Sequence, residues 1–345
     1  MTQYRFLNAC RREPVDCTPV WIMRQAGRYL PEYRELRERH DFLTMCKTPD
    51  LAATATIQPI DRLGVDAAIL FSDILIPVEA MGVPLEFHEH KGPLLEKRIR
   101  CQDDVDSLKI PDPEESLPFV MEAIRILRWA LEGKIPLIGF SGAPFTLASY
   151  IVEGGSSKNF TRLKNLMYQA PEVYRTLMDK LTQTVTVYLN AQIAAGAQAV
   201  QIFDTWAGIL TRHDYEEYAM PYTRRVIEGL NRNTIPVIHF ANDCAMLLPV
   251  IRTLPVDVVA VDWRIPLDEA AAIIGPDKAI QGNMDPTMLF HPPEKVRECV
   301  CDVLRRGEKA SSHIFNLGHG ILPPTDPENA LAMVEAVHEL SVRKA

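Results

Sequence analysis

The sequence predicts an α/β protein built as one (β/α)8 barrel of the TIM type, and three observations carry that prediction. Eight short apolar runs recur along the chain, bounded by Pro, Gly or Asp: residues 19–23, 65–71, 135–140, 197–203, 235–240, 256–262, 279–283 and 313–318. Each is followed by a segment with apolar residues at helical spacing. Composition stays ordinary from end to end, 47% hydrophobic and 24% charged, so residues 1–345 read as a single domain.

The runs are rich in Val and Ile and nearly free of polar residues, which suits strands buried on both faces of a parallel sheet. Helical spacing covers residues 49–63, 114–131, 172–194, 215–230 and 328–340. One stretch breaks the rhythm. VPLEFHEHKGPLLEKRI, residues 83–99, alternates around Lys91-Gly92 and predicts a β-hairpin excursion after the second strand. A formal net charge of -8 with no basic block argues against binding nucleic acid or an anionic membrane. No apolar run approaches the roughly 18 residues that a bilayer requires, and the first twenty residues lack a signal-peptide core, so the expected location is the cytoplasm. The seven cysteines are odd in number and form no CxxC, which predicts reduced thiols and no disulfides.

In such a barrel the active site forms at the carboxyl ends of the strands. The polar residues just past each run are therefore the candidates: Arg24, Ser72-Asp73, Ser141-Gly142, Asp204-Thr205, Asn242-Asp243, Asp262, Asn283 and His319. Asp, Ser and Asn in these places also cap helices and form turns, so none is diagnostic alone. Arginine at the end of an apolar strand is more telling. Arg24 and Arg28 flank a glycine in RQAGR, where backbone can approach a ligand closely, and with Arg34 and Arg37 they concentrate positive charge in an acidic chain. The segment reads as a local anion site, with Arg34 a solvated residue on the helix that follows. Asp204 and Asp262 read as hydrogen-bonded barrel-top residues, His239 as a satisfied core histidine, and His88 and His90 as solvated. Cys299 and Cys301 fall on a helix and read as packing rather than metal ligands.

Two long motifs, PVWIMRQAGRYLPEYR at residues 19–34 and GFSGAPFTLASYIVEGGSS at residues 139–157, are similar to signatures of the uroporphyrinogen decarboxylases. ILFSDILIP around Asp73, QIFDTWAG around Thr205 and NLGHGILPPTDPEN around His319 support the resemblance, which runs over essentially the whole chain. It implies a distorted TIM barrel, a homodimer, and cofactor-free decarboxylation of the four acetate side chains of uroporphyrinogen III to methyl groups, giving coproporphyrinogen III. It also implies substrate contacts at Arg24, Gln25, Ala26, Gly27, Arg28, Arg37, Asp73, Tyr150, Thr205 and His319. Asp73 would stabilise the transition state, with Arg24 and Arg28 completing the catalytic set. Thr205 stands where some members have serine, and either hydroxyl can bond a carboxylate.

The implied chemistry suits these residue types. An octacarboxylate drawn from water needs fixed cations, and the guanidinium fork matches paired carboxylates. Protonating a pyrrole α-carbon turns the ring itself into the electron sink, so no metal or organic cofactor is expected, and neither a Rossmann glycine fingerprint nor a P-loop occurs. An arginine with its usual pKa above about 12 is a poor proton donor; a bound water and a substrate carboxyl group are the other candidates. The competing reading is a zinc-dependent methyltransferase acting on a corrinoid or thiol, on a related barrel. It would need His-x-Cys after the fifth strand and Cys after the eighth, where this chain has His239-Phe240-Ala241 and His319.

Overall fold

The computed structural model describes residues 4–88 and 92–343. Its strands are β1 Ala68–Ile69, β2 Leu85–His88, β3 Gly92–Leu95, β4 Leu137–Gly142, β5 Ala199–Asp204, β6 Val237–Ala241, β7 Val258–Ala260, β8 Ala279–Gln281 and β9 His313–Ile314. Seven of them form a curled parallel sheet in the order β1-β4-β5-β6-β7-β8-β9, ringed by helices. The first predicted strand survives only as a bridge between Val20 and Phe315. That bridge closes the ring: Phe315 N donates to Pro19 O at 2.8 Å on one side, and Asp66 N donates to Val20 O at 2.8 Å on the other. The result is a distorted (β/α)8 barrel whose first stave is one residue of pairing long.

Side chains alternate along each strand. Phe140, Phe203, Ile238, Phe240 and Ala260 pack on the barrel interior, whereas Val200, Ile202, Val237, Ala241 and Val259 pack in the cluster that includes the helices Pro144–Glu153 and Pro171–Ala195. The interior also holds a polar chain. Trp21 Nε1 donates to Gln281 Oε1 at 2.9 Å, and Gln281 Nε2 donates to Gln201 Oε1 at 3.3 Å.

The helices follow local chemistry. Proline, which lacks an N–H and has φ preset, stands in the first turn of Pro49–Leu63, Pro118–Ala130, Pro144–Glu153, Pro171–Ala195, Pro293–Gly307 and Pro327–Leu340. Gly64, at φ 68°, ends the first of these. The single helix expected over 114–131 divides at Leu117, whose φ of -131° reflects the clash with Pro118. The helix expected over 215–230 begins as a π-helical segment, Tyr215–Ala219, ahead of Met220–Glu228, with Pro221 supplying no N–H at the junction.

The hairpin excursion is present: β2 and β3 pair antiparallel, Leu85 opposite Leu95 and His88 opposite Gly92. Lys91 and His90 lie outside the described residues, as does the His88 side chain. All seven cysteines are free. Cys299 is half-buried against the core while Cys301 is exposed, so only the first of that pair packs. Among the described residues no helix is long and apolar enough to cross a membrane.

Candidate active site

The arginine segment leaves the closing bridge at the carboxyl end of the barrel. Both backbone groups of Met23 are tied down: its N–H donates to Asn316 Oδ1 at 2.9 Å and its carbonyl accepts from Ile321 N at 2.9 Å. Arg24 then adopts φ 63°, a left-handed conformation that costs a residue with a Cβ about 1–2 kcal/mol. The turn throws its side chain into the mouth, where it packs on Gly320: a Cβ on that glycine would lie 2.4 Å from Arg24 Cδ. Gly27 permits the next turn, since a Cβ there would meet the Arg24 carbonyl at 3.0 Å. Arg24 and Arg28 are exposed and Ala26 and Gly27 half-buried.

Gln25 turns its side chain away from the mouth. It is fully buried, its Oε1 accepts from Ile22 N at 3.1 Å, its Nε2 donates to Ala67 O at 3.1 Å, and its carbonyl accepts from Tyr29 Oη at 2.8 Å. Its side-chain amide is turned inward onto the Ile22 N–H and the carbonyl of Ala67, the residue before β1, so the side chain fastens the loop. Arg34 departs from the solvated reading: exposed, yet bonded, with Nη1 donating to the carbonyls of Arg28 and Tyr29 at 3.0 and 3.1 Å. Arg37 donates one hydrogen bond, to His40 O at 2.6 Å, and its other guanidinium donors bond no described residue.

Asp73 follows β1 and lies half-buried beside this segment, its Oδ1 accepting from Leu75 N at 2.8 Å. Desolvation pushes its carboxyl up to about 6, opposed by that N–H and by the charge of Arg24. Tyr150, half-buried on the helix Pro144–Glu153, feels both groups; burial first, then the Asp73 charge, pushes its phenol up. His319 is depressed to about 4 by burial and by the charges of Arg24 and Arg264, so at neutral pH it is an uncharged imidazole. Arg24, Asp73, Tyr150 and His319, drawn from four separate segments, therefore share one electrostatic environment. Thr205 caps β5 at the same rim, half-buried, beside Trp206, whose ring centroid is 5.9 Å from that of Tyr150.

Other residues at the mouth were not legible as site residues. Phe140, Phe203 and Phe240 stack edge to face at 5.7 and 6.0 Å, and Phe240 meets His319 at 6.0 Å, forming an aromatic floor from strand positions that read only as apolar. Arg264 lies over the Trp263 ring at 4.0 Å and pairs with Asp243 at 2.7 Å; adjacency to Asp262 at a strand end was its one sequence signal. Asp262 is the hydrogen-bonded barrel-top residue expected, accepting from Cys244 N and Arg264 N at 2.9 and 2.8 Å. Asp204 is likewise hydrogen-bonded, to Thr146 Oγ1 at 3.0 Å. His239 is buried in the core but not satisfied: among the described residues neither ring nitrogen has a hydrogen-bond partner. Its outward-facing position on β6 removes it from the mouth. Cys244, past the end of β6, is fully buried, and among the described residues no three His, Cys, Asp or Glu side chains are grouped to hold a metal ion.

A family model described as uroporphyrinogen decarboxylase matches residues 1–340. The uroporphyrinogen decarboxylase of Trichlorobacter lovleyi is 57% identical over 98% of this chain and 99% of its own length. That of Carboxydothermus hydrogenoformans is 53% identical over 97% and 96%. Among solved structures, a methyltransferase from Methanosarcina mazei superposes with a TM-score of 0.82 over 97% of both chains at 22% identity, a likeness of fold. A B12-independent methionine synthase from Shewanella sp. W3-18-1 superposes at 0.56 with 12% identity, covering 84% of this chain and 87% of its own. With its motifs gathered at one barrel mouth and more than half its residues shared with these relatives, the chain belongs to the uroporphyrinogen decarboxylase family.

Proposed function

We propose that this protein decarboxylates the four acetate side chains of uroporphyrinogen III, releasing four CO2 and coproporphyrinogen III for porphyrin and haem biosynthesis. The observation that carries the reading is the convergence of Asp73 and Arg24 on an aromatic-floored mouth with Tyr150 and His319. Arg24, Arg28 and Arg37 hold substrate carboxylates as forked donors, and Ala26 and Gly27 let the macrocycle approach the backbone closely. Thr205, Tyr150 and His319 add neutral hydrogen bonds at the rim, a role for which an uncharged imidazole is suited. The Phe140, Phe203 and Phe240 rings support one face of the tetrapyrrole.

Asp73, ionised above about pH 6, accepts the pyrrole N–H groups. Protonation of a pyrrole α-carbon makes the ring cationic, and the fixed carboxylate stabilises that charge. The C–C bond to the acetate carboxylate then breaks, its electron pair neutralises the ring, and CO2 leaves. A second proton converts the exocyclic methylene to methyl, and loss of the α-proton restores the pyrrole. The ring accepts and returns the electrons, so the scheme calls for no cofactor. Residues 1–345 act as one catalytic domain, in the cytoplasm and as a homodimer.

Anaerobic incubation with reduced uroporphyrinogen, followed by chromatography of the oxidised products, tests the reading. Hepta-, hexa- and pentacarboxyl intermediates should precede the tetracarboxyl product. An unchanged octacarboxylate would overturn it.

A further inference from the structure

Behind β5, on the side turned away from the barrel interior, lies a polar cluster that the proposed chemistry does not touch. Asp204 ends the strand, is fully buried, and is followed at once by Thr205. Its Oδ1 accepts from Thr146 Oγ1 at 3.0 Å, and that same hydroxyl oxygen accepts from the N–H of Trp206 at 3.2 Å. The Trp206 N–H belongs to the peptide that joins Thr205 to Trp206. A threonine hydroxyl has one proton to give, so donating it to the carboxylate turns an acceptor lone pair toward that peptide.

Thr146, also fully buried, sits one helical turn before Tyr150 on Pro144–Glu153, so one helix serves both rim residues. The far side of Asp204 is equally specific. Its Oδ2 faces His239 Nε2 at 3.9 Å and has the Tyr215 phenol beside it, whose pKa burial and then the Asp204 charge push up; among the described residues neither His239 nitrogen has a hydrogen-bond partner, and all three residues are fully buried. Tyr215 opens the π-helical segment Tyr215–Ala219, an irregularity of a kind frequent beside functional sites. Unpaired polar groups buried this deeply cost stability, and plain packing would fill the space with apolar residues instead.

We infer that Thr146 and Asp204 form a positioning relay that fixes the Thr205–Trp206 peptide from behind the barrel, and so aims the Thr205 hydroxyl at substrate. The inference rests on the reading of Thr205 as a substrate contact. His239 and Tyr215 form the outer wall that receives the second carboxylate oxygen.

A double-mutant cycle on the full chain, with uroporphyrinogen as substrate, tests it. Thr146→Val removes the hydroxyl at nearly constant volume and should raise KM about tenfold, with less change in kcat and more partly decarboxylated intermediates released. Thr146→Ser should restore KM to within about twofold, because the relay needs only the hydroxyl. In a Thr205→Ala background Thr146→Val should add less than about twofold, since the group it aims is gone. Full additivity in that background, with Thr205→Ala itself impaired, overturns the relay and leaves the reading of Thr205 intact. A Thr205→Ala variant indistinguishable from wild type overturns both. Hydrogen exchange on the unmodified protein gives a readout independent of folding of the variants: the Trp206 amide should be protected, and rapid exchange there overturns the relay.

Discussion

At the scale of single residues, Asp73 carries the sharpest expectation. Its carboxyl stands at about 6 against an ordinary 3.8, so between those values the folded protein keeps a proton that the unfolded chain has released. Binding that proton stabilises the fold as pH falls through about 6; above it the ionised form, which the proposed chemistry uses, detracts from stability. Asp73→Asn should therefore lower kcat by about two decades while raising Tm at pH 7 by about 2 °C or more, measured by single-turnover kinetics and thermal melting. The acid limb of kcat/KM in the unmodified protein should fall near pH 6. Tm unchanged in the variant, with full activity, would make Asp73 a mere neighbour of Arg24. The arginines separate by what they touch. Arg24→Ala and Arg28→Ala should each lose two decades or more of activity, on the order of 3–5 kcal/mol for an unpaired substrate carboxylate. Arg34→Ala breaks one exposed and one partly buried bond to carbonyls of its own loop, so a loss of about fivefold, from a loosened loop, is expected in the same assay.

At the scale of elements, the loop after β9 makes a prediction that discriminates site from scaffold. A Cβ on Gly320 would strike the Arg24 side chain, which can move, whereas a Cβ on Gly318 would lie 2.4 Å from the backbone nitrogen of Trp263, which cannot. Gly320→Ala should melt like the unmodified protein yet lose about tenfold in kcat/KM as Arg24 is displaced. Gly318→Ala should lose about 2 kcal/mol or more of stability, read by denaturant titration. The helices were legible because proline at N1 and glycine beyond the last turn are local signals, as in Pro49–Leu63 with Gly64. The hairpin was legible for the same reason. The π-helical start at Tyr215 was not, because nothing within that stretch but Pro221 distinguishes it from an ordinary amphipathic helix.

For the molecule as a whole, stability turns on the seam where the first stave closes the ring. Asp66, buried and unremarked in the sequence, accepts from Val20 N at 2.8 Å on Oδ2, from Arg5 Nη1 at 2.8 Å on Oδ1, and contacts His338 Nε2 at 2.8 Å. One side chain thus joins the N-terminal helix, the closing bridge, the segment before β1 and the C-terminal helix Pro327–Leu340. Asp66→Ala leaves the buried Val20 N–H without its acceptor and takes one of two carboxylate partners from Arg5, which keeps Asp16, so a loss of about 2 kcal/mol is expected in urea unfolding. KM of the folded fraction should stay within about twofold, because no mouth residue depends on Asp66.

The class of fold was legible in the chain alone, as was the set of strand ends from which a site could be built. Strand periodicity, proline punctuation and the residue just past each strand are local properties that put Arg24, Asp73, Thr205 and His319 on a longer list of strand-end residues, and the resemblance to a family singled them out from it. Tertiary structure decided what each of those residues does with its polar atoms. Gln25 lies within the anion loop by sequence, yet its side-chain amide is consumed by Ile22 and by Ala67, 42 residues away and just before β1. Arg34 reads as solvated, yet it holds two carbonyls of its own loop. Phe140, Phe203 and Phe240 become the floor of a site only when three neighbouring strands bring their inward rings into contact. His239 lies two residues from Ala241 on the same strand as Phe240, and the alternation of the pleat sends one ring into the barrel and the other to the cluster behind Thr205. A hydrogen bond or a shifted pKa is set by partners tens or hundreds of residues away, and no local pattern records where those partners arrive.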